Sequence, residues 1–216
     1  MTTKDELLKT RFLLNMGRIN GLVRLLYSNE ALKPAGLFQS EGVRADILRS
    51  IVVFLHATFE VVLRSRIPKP NKSLSFYSRT DLDKALTLSG IDAKPFAPLY
   101  APLTQMAKRR KRIVHEADFS GRTDVLSEAW GVADDWQLIM WFMTVEAFYY
   151  QLRISVNAAS VVERTRFERL GKAMRSHVDF GNQLLAFPKV PPELQREALQ
   201  KFVVTLKSIV ATLNPT

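Results

Sequence analysis

The chain predicts an all-α fold, an antiparallel helical bundle, on three observations. Apolar residues recur at helical spacing over long windows. Glycine and proline cluster between those windows instead of inside them. No stretch alternates apolar and polar residues as a half-buried strand does. With 216 residues, 47% apolar and 24% charged, the chain has a globular composition and enough length to bury a core without covalent staples.

Taken in order, the first helix is expected over residues 4–29, with Leu7, Phe12, Leu14, Ile19, Leu22, Leu25 and Leu26 on its apolar side, and it breaks at Lys33-Pro34-Ala35-Gly36. A second helix should begin near Ser40, whose hydroxyl can cap the free amides of the first turn, and run to Ile67 before Pro68 and Pro70. The polar segment from Lys69 to Ser78 reads as a loop. Thr80 to Ser89 reads as a short helix capped by Thr80, with Gly90 just past its end. Pro95, Pro98 and Pro102 punctuate a turn before a helix extending to about Glu116, and Phe119 to Gly131 is a connector. A strong helix follows from about Asp134 to Ala158. Two more are expected in the tail, Ser160 to about Asp179 and Pro191 to Leu213, parted by Phe187-Pro188. No internal repeat is present. The division expected is a bundle over 1–158 with a helical extension, 159–216, packed on the same domain.

Two runs are apolar enough to raise the membrane question, Ile51–Leu63 and Leu138–Tyr150. His56 and Glu60 interrupt the first and Glu146 the second, and neither approaches the ~20 apolar residues a spanning helix needs. The opening MTTKDELLKT carries two acids and no apolar run of signal-peptide type. The absence of cysteine excludes disulfides, thiolate metal sites and cysteine nucleophiles, and three histidines leave little material for a zinc site. A cytoplasmic protein with no membrane partner, metal or cofactor is expected.

The 31 Lys and Arg against 21 Asp and Glu give a net charge of +10. Its distribution is uneven. Lys108-Arg109-Arg110-Lys111-Arg112 is five consecutive cations, and Arg64, Arg66, Lys69, Lys72 and Arg79 form a second basic block without an intervening acid. Residues 116–146 hold seven acids and one arginine. A charge run is ordinarily a solvated helix face. The overall excess favours a surface for a polyanion, because cations placed near phosphates release counterions on binding.

The basic run leads into Arg110-Lys111-Arg112-Ile113-Val114-His115-Glu116. A histidine there either caps the helix C-terminus, where the dipole favours imidazolium, or serves as the one side chain whose ordinary pKa lies near neutrality. Arginine and histidine together supply a base for a ribose hydroxyl and a cation for a phosphorane. Other candidates are weaker. His56 lies four residues before Glu60, as in a satisfied core pair, and His177 beside Arg175 reads as exposed. Glu146, among Trp141, Phe142, Phe148, Tyr149 and Tyr150, must find a donor or take a proton, and its partner is either a motif cation or a structural one. The aromatics at helical spacing are core or dimer interface; with Trp136 they exceed the visible needs of one small bundle, so a homodimer is expected. No Walker loop, GxGxxG or metal-ligand cluster occurs.

Arg110 and His115, four residues between them, within RKRIVHEAD, resemble the Arg-(four to six)-His signature of HEPN domains (higher eukaryotes and prokaryotes nucleotide-binding). Glu60-Val-Val-Leu-Arg64 is similar to the Glu-x-x-x-Lys/Arg pair of the family's preceding long helix, and the resemblance spans roughly residues 5–158. It implies an all-α bundle that dimerises with two motifs facing a shared cleft, and a metal-independent endoribonuclease of toxin or phage-defence type, sometimes neutralised by an antitoxin. His115 would be the acid/base and Arg110 the phosphate-binding cation. Glu60 and Arg64 would assist, and Lys108, Arg109, Lys111 and Arg112 would bind RNA. The position after the motif arginine, frequently Asn in the family, is Lys111 here, and Arg109 also meets the spacing. The alternative is an inactive HEPN module that holds RNA, a nucleotide or a protein partner. On an ideal helix, positions five apart lie about 140° from each other, so either a two-fold dimer brings Arg110 of one chain to His115 of the other or the helix frays before His115.

Overall fold

The computed structural model describes residues 3–27, 41–67, 74, 76–116 and 132–186. Six α-helices follow one another: α1 (Lys4–Tyr27), α2 (Glu41–Arg64), α3 (Arg79–Leu88), α4 (Tyr100–Glu116), α5 (Val132–Ser155) and α6 (Val161–Ala186), with a 3₁₀ turn at Lys94–Leu99 leading directly into α4. Among the described residues there is no strand, and no helix is long and apolar enough to cross a membrane. The expected breaks at 33–36 and 187–188, the Ser40 cap, the 119–131 connector and the last helix, 191–213, lie outside the described residues.

The centre of the bundle is α5. Every residue from Leu138 to Arg153 is buried, as befits a helix that is apolar all round. It packs against α2, α4, α6 and the 3₁₀ turn. The aromatic layer around it is continuous: Phe148 lies edge-on to Phe59 of α2 at 5.0 Å and 4.9 Å from Phe96 of the 3₁₀ turn, while Tyr149 stacks on Phe12 of α1 at 3.7 Å. Trp141, Phe142, Phe148 and Tyr149 are therefore consumed inside one chain. That corrects the sequence argument for a dimer, which took these side chains for a surplus. Among the described residues, the large apolar side chains left outside are elsewhere, notably Leu7 and Leu14 on α1 and Phe54 and Val61 on α2.

The helix ends follow local chemistry. Ser78, not Thr80, caps α3: its Oγ accepts from the Asp81 amide at 3.1 Å. The end of α3 is a Schellman turn in which Gly90, at φ +68°, lets the Ile91 and Gly90 amides return to the Leu86 and Thr87 carbonyls. Asn157, at φ +55°, closes α5 the same way, with Ala158 bonding Arg153 and Asn157 bonding Ile154. α6 then opens with a capping box: the Ser160 amide donates to Glu163 Oε2 at 2.7 Å, and the Glu163 amide to Ser160 Oγ at 3.3 Å.

Two ion pairs fasten α6 to α5. Arg153 meets Glu163 at 2.9 Å, and Arg166 donates to Glu146 Oε1. Glu146 is thus answered from α6, not from the basic run, so its partner is structural. A further ion pair, Arg66 with Asp5 at 2.6 Å, ties the end of α2 to the start of α1.

Candidate functional site

On α2, residues four apart share a face, and His56, Glu60 and Arg64 occupy one such stripe. α4 packs against α2 and carries the basic run. Between them passes the segment before α3, in which Phe76 and Tyr77 are described. Phe76 is fully buried and sits at φ +54°, a left-handed backbone that bulky residues rarely adopt. Its ring is edge-on to Phe59 at 6.3 Å, and the Arg64 guanidinium lies 4.6 Å from its centroid. Arg64 also donates to the Leu74 carbonyl at 3.0 Å and lies 3.7 Å from Glu60.

The neighbouring Tyr77 makes the link to α4. Arg110 Nη1 donates to the Tyr77 hydroxyl at 2.9 Å, and the Tyr77 ring lies parallel to that of His56, centroids 5.8 Å apart. Tyr77 Oη therefore joins residues 33 apart in sequence. His56 is 1% exposed, and its Nε2 has no hydrogen-bond partner. Burial lowers its pKa to about 4, and the charges of Arg110 and then Arg64 push the same way, so the ring is neutral at pH 7. The expected His56–Glu60 pair is corrected: Glu60 is engaged by Arg64, and the imidazole faces tyrosine and arginine instead.

Of the four proposed catalytic positions, Glu60 and Arg64 meet on α2, and Arg110 reaches that helix through Tyr77, whose ring stacks on His56. α4 remains helical through Glu116, so fraying before His115 does not occur, and positions 110 and 115 lie about 140° apart around one axis. The side chain of His115, like that of His177, lies outside the described residues. Of the basic run, Lys108, Lys111 and Arg112 are exposed, whereas Arg109 and Arg110 are half-buried against the bundle. In the second basic block, Arg66 is held by Asp5, whereas Arg79 is exposed, 3.7 Å from Asp83 and leaning over the Tyr100 ring; Lys69 and Lys72 lie outside the described residues.

Sequence reading missed Tyr77 and misread His56. The available signal was an aromatic pair, Phe76-Tyr77, inside an otherwise polar segment. A separate groove of about 640 Å³ between the 3₁₀ turn, α5 and α6 is floored by Pro98, Leu99, Phe167 and Met174 and shares no residue with this constellation. Among the described residues, no group of three histidines or carboxylates stands close enough to hold a metal ion.

No family model, curated protein or solved structure matches this chain. The functional reading therefore rests on the residues themselves.

Proposed function

We propose that the chain is a HEPN-type endoribonuclease that cleaves RNA through side-chain acid–base chemistry. The observation that supports this reading is that Glu60, Arg64 and Arg110, the positions marked by the family resemblance, lie on the packed helices α2 and α4, with Arg64 against Glu60 and Arg110 linked to α2 through Tyr77 and His56, beside a run of exposed cations. In the mechanism, His115 takes the proton from a ribose 2′-hydroxyl beside the scissile phosphate. Arg110 stabilises the charge that develops on the pentacovalent phosphorus. Products are a 2′,3′-cyclic phosphate and a 5′-hydroxyl. Because Arg110 and His115 lie on different sides of an unbroken helix, a complete site needs a second copy, with one protomer's arginine meeting its partner's histidine across a two-fold axis. Toxin or phage-defence biology, with an antitoxin to restrain it, belongs to the same proposal.

Incubating the full-length protein with total RNA in excess EDTA and mapping the ends tests this reading. Cyclic-phosphate ends are expected. Retention of RNA with no cleavage would replace it with the inactive binding module. One observation favours that rival: among the described side chains, the histidine near Arg110 is His56, which is sealed from solvent and out of reach of a 2′-hydroxyl.

A further inference from the structure

Arginine at a reacting phosphate acts through orientation as much as charge, because a guanidinium presents its donors in a fixed plane. Arg110 sits at the end of a long side chain on α4, and rotamer freedom alone would leave that plane undefined. Three features of the structure constrain it. The Tyr77 hydroxyl accepts from Nη1 at 2.9 Å. The Tyr77 ring is itself set parallel to the buried His56 ring. The backbone that delivers Tyr77 is held in an unfavourable left-handed conformation at Phe76, which is locked by Phe59 and by the guanidinium of Arg64.

A fully buried aromatic residue at φ +54° is strained and persists only where its surroundings over-determine it. Here the turn sends Phe76 into the core while the residue after it reaches α4. Ser78 then caps α3 immediately afterwards, fixing the chain on the other side of Tyr77.

We propose that Tyr77 is a positioning residue whose hydroxyl orients the Arg110 guanidinium, with the strained turn at Phe76 and the stacked His56 ring as its supports. The catalytic consequence rests on the ribonuclease reading above; the orientation itself does not. His56 matters because a neutral ring allows two guanidiniums, Arg64 and Arg110, to occupy one neighbourhood without a third positive charge between them.

The test uses Tyr77→Phe, which keeps the ring and removes only the acceptor. In protein labelled with ¹⁵N-arginine, Arg110 signals are assigned by their loss in Arg110→Lys, and rotation about the guanidinium bond is measured. Restricted rotation is expected in the wild type, with faster rotation in Tyr77→Phe and no change at Arg64. Equal rotation in both proteins overturns the proposal. On RNA, Tyr77→Phe is expected to lower kcat about tenfold with KM within twofold, and to add nothing in an Arg110→Ala background. An unchanged kcat in an active enzyme, or a loss confined to KM, also overturns it. A wild type that cleaves no RNA refutes the ribonuclease reading alone, since the rotation measurement still decides whether Tyr77 holds Arg110.

Discussion

Arg166→Met should destabilise the protein strongly at pH 8 and mildly at pH 5.5. Glu146 is 2% exposed, its Oε2 has no hydrogen-bond partner, and Oε1 is met by Arg166 and, at 3.5 Å, by the Tyr150 hydroxyl. Burial raises its pKa to about 7, against the opposing pull of Arg166. Removing one partner of a buried pair costs roughly 3–5 kcal/mol when the survivor stays charged. Glu146 has an escape, because below its folded pKa it takes a proton and becomes a neutral donor. At pH 8 the variant must either bury an uncompensated carboxylate or draw a proton from a dilute supply, and a loss of about 3 kcal/mol is expected. At pH 5.5 only the hydrogen bond and some packing are lost, about 1 kcal/mol. Urea unfolding at the two pH values, followed by circular dichroism, measures the difference. Glu146→Gln in the Arg166→Met background should recover much of the pH 8 loss. Equal losses at both pH values would refute the reasoning, because they would mean that the carboxylate is not desolvated in the folded chain.

Three further outcomes follow. Glu146 has a folded pKa above its unfolded 4.5, so the native state binds more protons and stability falls as pH rises from about 4.5 to about 7; His56, whose folded pKa of about 4 lies below 6.5, has the reverse sign, and stability falls as pH drops through that interval. Because the two slopes oppose each other, Glu146→Gln should expose the histidine slope, seen as unfolding midpoints that rise with pH between 4.5 and 6.5. Gly90→Ala should cost about 1 kcal/mol in urea unfolding, through its positive φ alone, since a Cβ there meets no atom within 4 Å. Replacing Lys108, Arg109 and Lys111 together by Ala should weaken RNA binding and flatten its salt dependence by about 0.7 in the log–log slope for each lost phosphate contact, read by fluorescence anisotropy across a salt series.

What the sequence disclosed and what it hid divide along a physical line. α5 was legible because a helix buried on every side must be apolar on every side, and Leu138–Tyr150 is so apart from Glu146 and Thr144. Gly90 was legible as a helix end because few residues accept its backbone angle. The α3 cap was placed two residues late, since Ser78 and Thr80 have the same chemistry and only the geometry of the turn chooses between them. α6 extends to Ala186, beyond the expected stop near Asp179, and runs through Gly181, since a lone glycine weakens a helix without ending it. At the candidate site, Glu60, Arg64 and Arg110 were singled out by the resemblance to HEPN motifs, each of which lies within a single helix. Tyr77 was not, because its contact with Arg110 depends on a left-handed turn at a phenylalanine, and no residue pattern announces a conformation that its own side chain disfavours. His56 was misassigned for a related reason: a spacing of four allows a pair with Glu60, but Arg64, also four residues away, holds the carboxylate.

The central claim, that Arg110 and His115 are a cleaving pair and not part of a general basic surface, is tested most directly by comparing RNA cleavage in EDTA by the wild type, His115→Ala, Arg110→Ala and Lys111→Ala, each checked for an unchanged helical spectrum. Arg110 and Lys111 are adjacent and both cationic, but only Arg110 is held at the Tyr77 hydroxyl, whereas Lys111 is exposed. The account predicts losses of about 100- to 10,000-fold for His115→Ala and Arg110→Ala, with Lys111→Ala within a few-fold of wild type. Full activity in His115→Ala, or equal losses in Arg110→Ala and Lys111→Ala, would contradict it.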